Sequence, residues 1–521
     1  MTQLVIIVIY LCLLLGLAAM SSRLFRGTSR DYMLASQSIG PFLLVMSLFG
    51  TTMTAFALVG STGKSFGTGI GVYGMLASAS GIIHPLCFFL VGLPLWAHGR
   101  RHGHTTQIEF FRDRLESRTI GLVLFPILVG LVIPYLLVGI HASGEVINGV
   151  TLGAFGDEQG VPSWLASLVI CLVVLTYVFL GGMRGTAWAN AFQTLVFVIL
   201  GVVTFIAIAN NLGKKQSFLA NLEVATKAVA QPAANASPEE QKAQIERGKD
   251  RLSRRKLPWT VYFSFLLIPF SVAMFPHVFQ HWLTARSAES FKAPIILHPI
   301  LIMIVWVPCV LVGVWASAAS SGLASDTSAN KVLALMVKNL NQPMLSGLLT
   351  AGILAAIMSS LDSQFLCIGT MFTKDIVLQG GEDRFDQRQQ VMLARGFVVL
   401  VVAATYLLNL VVPRNVFAMS IWCFSGFTAL FPLVIAALYW RGLTAAGAIS
   451  SVVTMAVAWC WMFYRSDFAG KPYSFPEKTW GWPIPSFMPV VSLTILSAVI
   501  MVVVSLATKP PSDKTLGRYF R

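Results

Sequence analysis

Charge is scarce in this sequence, and the scarcity excludes the ordinary classes of soluble protein. Only 11% of the 521 residues are charged, against about a quarter in a typical globular chain, whereas 56% are hydrophobic and the mean hydropathy is +0.73. Acidic residues are the rarest, since 22 Asp and Glu face 37 Lys and Arg and leave a net charge of +15. On such an apolar chain a basic excess is typical of short loops that orient membrane spans, so we expect a lipid bilayer and no nucleic acid as partner.

The sequence also lacks the patterns of metal centres and enzymes. Its seven cysteines lie in apolar stretches without a CxxC pair, which predicts small buried hydrophobic residues rather than metal ligands or disulfides. It has no HExxH motif and no paired acidic residues within an apolar run. We therefore expect a membrane protein that is not an enzyme.

Apolar stretches of about 18 residues or more, long enough to cross a bilayer as helices, recur along the whole chain. Thirteen stretches meet this requirement: 3–21, 40–63, 70–97, 119–141, 163–181, 187–210, 258–282, 294–318, 345–371, 396–413, 415–439, 443–463 and 486–507. They predict an all-α polytopic membrane protein with about 13 transmembrane helices.

The distribution of basic residues predicts the orientation of these spans. With the loop after the first stretch placed inside, the inner segments hold 20 Lys and Arg and the outer segments 17, of which ten lie in the polar segment 211–257. We treat that segment as an extramembranous insert and leave it out of the count. The positive-inside rule then predicts a plasma-membrane protein (inner membrane in a bacterium) with its amino terminus outside and its carboxyl terminus in the cytoplasm.

Glycine and hydroxyl residues interrupt the second apolar stretch. It reads Phe49-Gly-Thr-Thr-Met-Thr-Ala55 at mid-depth and, from Gly60, Ser-Thr-Gly-Lys-Ser-Phe-Gly-Thr-Gly-Ile-Gly71. Such residues at membrane depth permit a broken helix whose freed backbone groups bind an ion and a substrate. They also serve for close packing between helices, and the sequence leaves both interpretations open.

The ninth stretch places three oxygen-bearing positions on one helix face. Ala356, Ser359 and Ser360 stand at i, i+3 and i+4, so one carbonyl and two hydroxyls can share that face. Neutral oxygens can replace the hydration shell of an alkali cation, which makes the face a candidate sodium site. Serines in apolar helices also bond back to the preceding turn, and this alternative stays open.

Asp362 in the same stretch is the acidic residue enclosed within a predicted span, with no other charged residue between Lys338 and Lys374. An intramembrane carboxylate is costly and therefore indicates a function. It could strengthen the ion site from behind, carry a proton, or hydrogen-bond hydroxyl and backbone groups. The sequence does not choose among these roles.

Several segments resemble the sodium:solute symporter family, in order and at compatible spacing. Leu354-Ala-Ala-Ile-Met-Ser-Ser-Leu-Asp-Ser363, followed by Thr373-Lys-Asp-Ile376, looks like the hallmark helix of that family. Tyr177-Val-Phe-Leu-Gly-Gly-Met-Arg-Gly-Thr-Ala-Trp188 is similar to the glycine-glycine signature of the family. Ile108-Glu-Phe-Phe-Arg-Asp-Arg114 is similar to its loop after the third span, and Lys509-Pro-Pro-Ser-Asp-Lys514 to its carboxyl end. The resemblance covers nearly the whole chain apart from 211–257.

The resemblance implies a LeuT-type core of two inverted five-helix repeats, formed by spans 2 to 6 and 7 to 11. One helix precedes this core and two follow it. The implied divisions are 1–38 (extra helix and cytoplasmic loop), 39–210 (first repeat), 211–257 (insert), 258–440 (second repeat), 441–507 (two helices) and 508–521 (cytoplasmic tail).

The resemblance also implies one sodium site. Its ligands would be backbone oxygens of the second and ninth spans and two hydroxyls, with two residues directly behind them: Gly50, Met53, Ala356, Ser359 and Ser360, backed by Thr52 and Asp362. Family members that use an additional sodium carry an aspartate where this sequence has Asn190. Because an amide carries no charge, we expect one sodium ion per cycle.

For the solute, the resemblance points to the second and seventh spans. Sugar-carrying members have hydrogen-bonding side chains where this chain has Phe56 and Ala57, which disfavours a sugar. The candidate pocket residues are Thr54, Phe56, Lys64, Phe270, Phe275, His277 and Gln280. Aromatic helices are also common in packed cores, and a lysine at a span end commonly extends into water, so both alternatives stay open.

These observations predict a sodium-coupled symporter that imports a small organic anion or zwitterion, such as a monocarboxylate, an amino acid or a vitamin. Proton coupling through Asp362 is one alternative. A transporter-like solute sensor is another, although such proteins generally append a signalling domain and this chain continues about a dozen residues beyond its last predicted span. The oligomeric state does not follow from the sequence.

Overall fold

The computed structural model of the protein describes residues 1–22, 28–155, 159–214, 217–233, 236–254, 257–380, 385–411, 415–477 and 485–520. Within these residues the chain is almost entirely helical and forms no strand beyond two isolated bridges. The all-α prediction is therefore confirmed. The predicted junction between the spans 396–413 and 415–439 falls on residues 412–414, outside the described residues.

The helices are numbered in chain order. Those of the first half are α1 Thr2–Ser22, α2 Ser29–Leu34, α3 Pro41–Thr52, α4 Ser61–Thr68, α5 Gly71–Cys87, α6 Leu93–His102, α7 Gln107–Arg114, α8 Arg118–Thr151, α9 Ser163–Gly213, α10 Phe218–Ala228 and α11 Pro238–Arg251. Those of the second half are α12 Trp259–Leu267, α13 Pro276–Leu283, α14 Lys292–Ala316, α15 Val332–Lys338, α16 Pro343–Met371, α17 Gln387–Val411, α18 Val416–Ala429, α19 Phe431–Tyr439, α20 Ala445–Arg465, α21 Pro489–Leu506 and α22 Asp513–Tyr519.

The described residues contain nine helices long and apolar enough to cross a membrane, or eleven if each of two bent helix pairs is one span. Helix α9 has 51 residues and a non-helical conformation at Gly182, with φ 53° and ψ −153°. A helix of that length would measure ~75 Å, more than twice a hydrocarbon core of about 30 Å, so α9 has room for two crossings. The total of thirteen spans stays a prediction.

Two spans are broken at the depth of the bundle centre. The axis turns by 53° between Pro41–Thr52 and Phe56–Thr68, and by 46° between Trp259–Ala273 and Pro276–Leu283. Pro276 begins α13 at a position where its missing N–H costs no helical hydrogen bond. Broken helices of this kind are tolerated in membranes where they border a cavity or are covered by other helices.

Helix α16 is the centre of the molecule, because it packs against α9, α8, α1 and α3. From Leu349 to Met371 every side chain that it carries is buried. The outer helices expose large apolar side chains instead, among them Ile199, Leu400 and Val503, each about 60% exposed. An apolar exterior around a core that contains polar side chains is the arrangement expected of a protein surrounded by lipid.

The insert lies against one end of the bundle. Helices α10 and α11 belong to it, and the Ile70 N–H donates a 2.7 Å hydrogen bond to the Arg251 carbonyl. The Trp315 indole N–H donates to the Thr226 hydroxyl across 3.0 Å, which ties α10 to the end of α14. The insert therefore covers the ends of α4, α5 and α14.

At the opposite end, the carboxyl-terminal helix α22 docks on the turn between α7 and α8. The hydroxyl and N–H of Ser512 and the hydroxyl of Thr515 all donate to the Glu116 carboxylate. These hydrogen bonds, the Ser512 hydroxyl first, stabilise the charged form and lower the pKa of Glu116 to about 2.

Candidate sodium and solute sites

Helix α3 ends at Thr52, whose hydroxyl bonds back to the preceding turn. The Thr52 hydroxyl donates back to the carbonyls of Leu48 and Phe49, at 2.8 and 3.1 Å. Met53 leaves the helical conformation, with φ −90° and ψ 85°. The N–H of Ala57, the i+4 partner that the Met53 carbonyl would have in a continuous helix, donates to the Thr54 carbonyl instead. The break thus withdraws the Met53 carbonyl from the helical ladder.

Ser359 lies directly against this break. Its hydroxyl donates to the Gly50 carbonyl across 2.8 Å and to the Ala356 carbonyl across 3.0 Å, and all three residues are buried. The Ser360 hydroxyl donates to the Ile357 carbonyl of its own helix at 2.9 Å. The structure therefore brings three of the predicted residues together, Gly50 of α3 with Ala356 and Ser359 of α16.

The donor set suits an alkali cation. A hydroxyl carries two lone pairs and a proton whose position rotates, so Ser359 and Ser360 can turn their oxygens toward an ion without moving the backbone. Carbonyl and hydroxyl oxygens without formal charge are the ligands that replace the hydration shell of such ions. Gly50, Met53, Ala356, Ser359 and Ser360 are the residues of this chain that would hold sodium.

Asp362 is fully buried behind Ser359 and is satisfied by hydrogen bonds. It accepts from the Tyr177 hydroxyl at 3.2 Å and from the Ser363 hydroxyl at 3.0 Å. With its nitrogen facing the carboxylate, the Asn190 amide donates to both Asp362 oxygens, at 3.1 and 2.9 Å, and to the Ser359 carbonyl at 3.1 Å. Asn190 and Asp362 therefore form one unit with the ion-site helix, a relation that the sequence did not reveal.

A histidine from the second broken span joins this network. His281 Nε2 lies 2.9 Å from the Ser363 hydroxyl and 3.3 Å from the Thr51 hydroxyl, which lie 2.9 Å from each other. Through these contacts α3, α13 and α16 meet next to the last turn of α3. The Thr52 hydroxyl, by contrast, bonds to carbonyls of its own helix, and its place behind the ion site stays a prediction.

A small cavity of about 30 Å³ lies between the two breaks. Aromatic and apolar side chains form most of its wall, with a few polar groups: Thr52, Phe56, Met75, Leu76, Ser80, His84, Tyr135, Phe265, Ile268, Pro269, Ser271, Phe275, Trp306 and Phe424. A volume of this size holds about one water molecule. The central cavity is therefore too small for an organic solute in this conformation. Its wall nevertheless combines apolar side chains with polar groups, as the wall of a solute pocket does.

Three of the predicted solute residues lie at this cavity. Phe56 and Phe275 line it. Thr54 is buried next to them and its hydroxyl accepts from the Phe56 N–H at 3.1 Å. Phe56 and Phe275 both contact the ring of Phe424, at 5.1 and 5.6 Å between centroids.

The other four predicted residues do not line it. Phe270 packs its ring on Phe431 at 4.5 Å, and the buried His277 stacks on the far side of Phe275 at 5.2 Å. Gln280 donates to the Met33 carbonyl and the Thr370 hydroxyl, which makes it a link between helices. Lys64 lines a different cavity.

His84 and Trp306 were missed by the sequence reasoning. His84 Nδ1 lies 3.0 Å from His298 Nε2, which fixes the His84 ring at the cavity wall and leaves its Nε2 without a partner among the described residues. The buried indole N–H of Trp306 has no partner there either. The sequence did contain a signal for His84, because a histidine within an apolar span is a functional candidate in the same way as Asp362.

The protein has two broken spans, a cluster of neutral oxygens at one break and a cavity between the two breaks. Together these features are typical of a secondary transporter of the membrane. A family model described as "Sodium:solute symporter family" matches residues 32–454. The chain belongs to the sodium:solute symporter family and is a multi-pass, sodium-coupled symporter, as its motifs predicted.

Relatives of known name agree with this assignment. A "Sodium/proline symporter" of Staphylococcus aureus (strain bovine RF122 / ET3-1) is 26% identical over 517 residues, which cover 97% of this chain and 93% of the relative. A second one, from Staphylococcus aureus, is 26% identical over 509 residues and covers 96% and 91%.

Solved structures show the fold. An outward-open, substrate-bound Na+-coupled sialic acid symporter has a TM-score of 0.74 at 18% identity, covering 98% of this chain and 99% of the other. MhsT in complex with L-phenylalanine has a TM-score of 0.52 at 12% identity, covering 89% and 98%. These similarities confirm the predicted LeuT-type architecture.

Proposed function

We propose that this protein imports a small organic anion or zwitterion together with one sodium ion. The observation that carries the proposal is the contact of Ser359 with Gly50, two residues before Thr52, which lines a cavity formed by both broken spans. The ion and the solute would share the break in α3, so that binding of the first completes the wall for the second.

Two residues of the second span, Phe56 and Ala57, weigh against a sugar, because neither side chain can hydrogen-bond to a hydroxyl. Six of the fourteen residues that line the cavity carry a hydrogen-bonding side chain, and the rings of Phe56, Phe275 and Phe424 lie among them. A site that binds a polyol needs a partner for each hydroxyl, because unpaired polar groups in a closed site are costly. The relatives named for proline, a zwitterion, agree with this class.

The proposed stoichiometry rests on Asn190 and Asp362. The Asp362 carboxylate already accepts from the Asn190 amide, Tyr177 and Ser363, so its lone pairs are used without a cation of its own. Its negative charge would instead favour the ion at Ser359. One net charge carried through about 100 mV is worth about 2.3 kcal/mol, so the membrane potential would add to the sodium gradient for a zwitterion, whereas one sodium ion with a monoanion moves no net charge.

Uptake by proteoliposomes tests the proposal. An inward sodium gradient is compared with an equal choline gradient for a panel of amino acids, monocarboxylates, vitamins and sugars. We expect sodium-dependent accumulation of a member that carries a carboxylate. An inside-negative potential should stimulate uptake of a zwitterion, whose cycle carries one net charge, and should leave uptake of a monoanion unchanged. Accumulation of a sugar, or uptake indifferent to sodium, would contradict it.

One structural feature favours a second candidate, coupling to protons. Asp362, Ser363 and His281 form a buried hydrogen-bonded chain, with successive contacts of 3.0 and 2.9 Å. Such a chain could pass a proton from the carboxylate toward α13. A pH gradient that drives accumulation in the complete absence of sodium would favour this candidate over the first.

A further inference from the structure

A second and larger cavity lies at the end of the bundle that carries the insert. Its volume is about 710 Å³, against about 30 Å³ for the central cavity. Met75 and Phe265 line both, so the two cavities lie on one path. Sites for small molecules measure about 300–1,000 Å³, and of these two cavities the larger one has room for an organic solute in this conformation. We call it the outer cavity.

Aromatic rings separate the outer cavity from the centre. Phe417 lines the outer cavity, and its ring centroid lies 5.1 Å from that of Phe56, which lines the central one. Phe424 lies 5.1 Å from Phe56 on the inner side, edge to face. A solute would have to displace these rings to reach the ion site.

The wall of the outer cavity is positively charged. Its described lining includes Lys64 and Lys471 and contains no aspartate or glutamate. Lys64 Nζ lies 5.5 Å from the centre of the Phe417 ring, at the aromatic floor. The nearby carboxylate of Glu477 is bound by the Arg465 guanidinium, with contacts of 2.9 to 3.2 Å. Within the part of the chain that the structure describes, no carboxylate pairs with Lys64 or Lys471.

We infer that the outer cavity is a binding site of its own, in which Lys64 and Lys471 hold the carboxylate of an organic anion or zwitterion above the aromatic floor. Cavities lined by charge of one sign concentrate oppositely charged solutes and speed their arrival. The rings of Phe417 and Trp422 offer the apolar part of the solute a surface. This inference rests on the proposed function for the chemical class of the solute.

Cysteine labelling measures the potential in this cavity without any transport. Ser474 lines the cavity and is partly exposed, so Ser474→Cys reports from inside it. The background carries Cys12→Ser and Cys460→Ser, because these are the two exposed native cysteines. The full-length protein in nanodiscs is labelled with an anionic and a cationic methanethiosulfonate reagent of similar size.

We expect Lys64→Met to lower the ratio of anionic to cationic labelling rates about tenfold, as loss of a focusing charge predicts. Lys64→Arg keeps the charge and should keep the ratio. The matched control is Lys242→Met, an exposed lysine of α11 in the insert, away from the cavity lining, which should leave the ratio unchanged. If Lys64→Met is not monodisperse, Lys471→Met carries the same test.

Benzoate is then added as the probe, with benzyl alcohol as its uncharged counterpart. Benzoate should slow labelling of Ser474→Cys, benzyl alcohol should not, and the protection should disappear in the Lys64→Met, Lys471→Met double variant. A ratio unaffected by Lys64→Met, equal protection by both probes, or protection that survives the double variant would each overturn the inference. Failure of sodium-dependent uptake in the unaltered protein would instead remove the proposed function and leave this readout intact.

Discussion

The Ser359 hydroxyl donates a 2.8 Å hydrogen bond to the Gly50 carbonyl, although 309 residues separate them along the chain. Gly50 is also packed closely against α9, because a Cβ added there would lie 2.4 Å from the Thr194 hydroxyl oxygen, whereas its 3.5 Å distance to Ser359 Cβ would be an ordinary contact. The broken span and the hydroxyl face of α16 therefore depend on one another for the geometry of the ion site.

Gly50→Ala should separate α3 from α9 and weaken sodium activation. The added methyl group overlaps the Thr194 hydroxyl, and overpacking of a buried contact costs typically about 1–3 kcal/mol. Sodium dependence of uptake and the thermal midpoint of the purified protein measure the two effects.

Gly81→Ala is the matched control, because a Cβ at Gly81 in α5 would meet nothing within 4 Å. It should behave like the unaltered protein. Equal sodium activation in both variants would show that the close approach at Gly50 is not needed.

His84→Ala should weaken solute binding while leaving the sodium dependence nearly unchanged. His84 is held at the cavity wall by His298 and offers its other ring nitrogen to a solute. Loss of one buried hydrogen bond is worth about 1–3 kcal/mol, so the KM for the solute should rise about tenfold or more. Ser78→Ala on the exposed side of α5 is the control. An unchanged KM in His84→Ala would exclude a contact with solute.

The sequence predicted the contact between α3 and α16 better than the wall of the central cavity, and the reason is geometric. Ser359 and Ser360 lie on one helix turn, and the break at Met53 follows from local glycine and hydroxyl residues, so short-range patterns carried most of that information. The central cavity takes its wall from distant helices, and His84 and Trp306 reach it only through tertiary packing. His277 is a residue type suited to a solute pocket, but its ring stacks on that of Phe275 and does not line the cavity.

For the fold as well, features set by local sequence were predicted and contacts between distant helices were not. Apolar length predicted the helices, including the spans 163–181 and 187–210 that the structure joins into one element with a non-helical residue at Gly182. The network of Asn190 with Asp362 was beyond sequence reasoning, because α9 and α16 meet only in the folded bundle. The resemblance, rather than periodicity, suggested the inverted repeat.

Asp362→Asn distinguishes sodium coupling from proton coupling. If Asp362 acts by charge behind the ion site, the variant should still accumulate solute with a sodium gradient, but at a sodium concentration at least about tenfold higher. Its pH profile should match that of the unaltered protein. Proton coupling instead requires that the variant lose both accumulation and any acid stimulation, because an amide cannot cycle a proton. Uptake is measured from pH 5.5 to 8.5 at saturating sodium.

Docking of α22 should persist at neutral pH and fail in acid. Because its hydrogen bonds depress the pKa of Glu116 from 4.5 to about 2, they stabilise docking above pH 4.5, and this contribution is lost as the pH falls toward 2. Hydrogen exchange of residues 513–519 measures it.

Glu116→Gln should release α22 already at pH 7, because it removes the charge that Ser512 and Thr515 donate to. Glu289→Gln removes an exposed carboxylate paired with Lys292 and serves as the control. Protection of α22 that is the same in both variants would show that Glu116 does not hold the tail.

Direct binding of radioactive sodium to the purified protein tests the central claim. The Ser359→Ala, Ser360→Ala double variant is compared with Thr350→Ala, which removes a buried hydroxyl of the same helix that bonds only to the Ser346 carbonyl. We predict that the double variant loses saturable sodium binding and that Thr350→Ala retains it. Saturable binding of undiminished affinity in a folded double variant would contradict the sodium site described above.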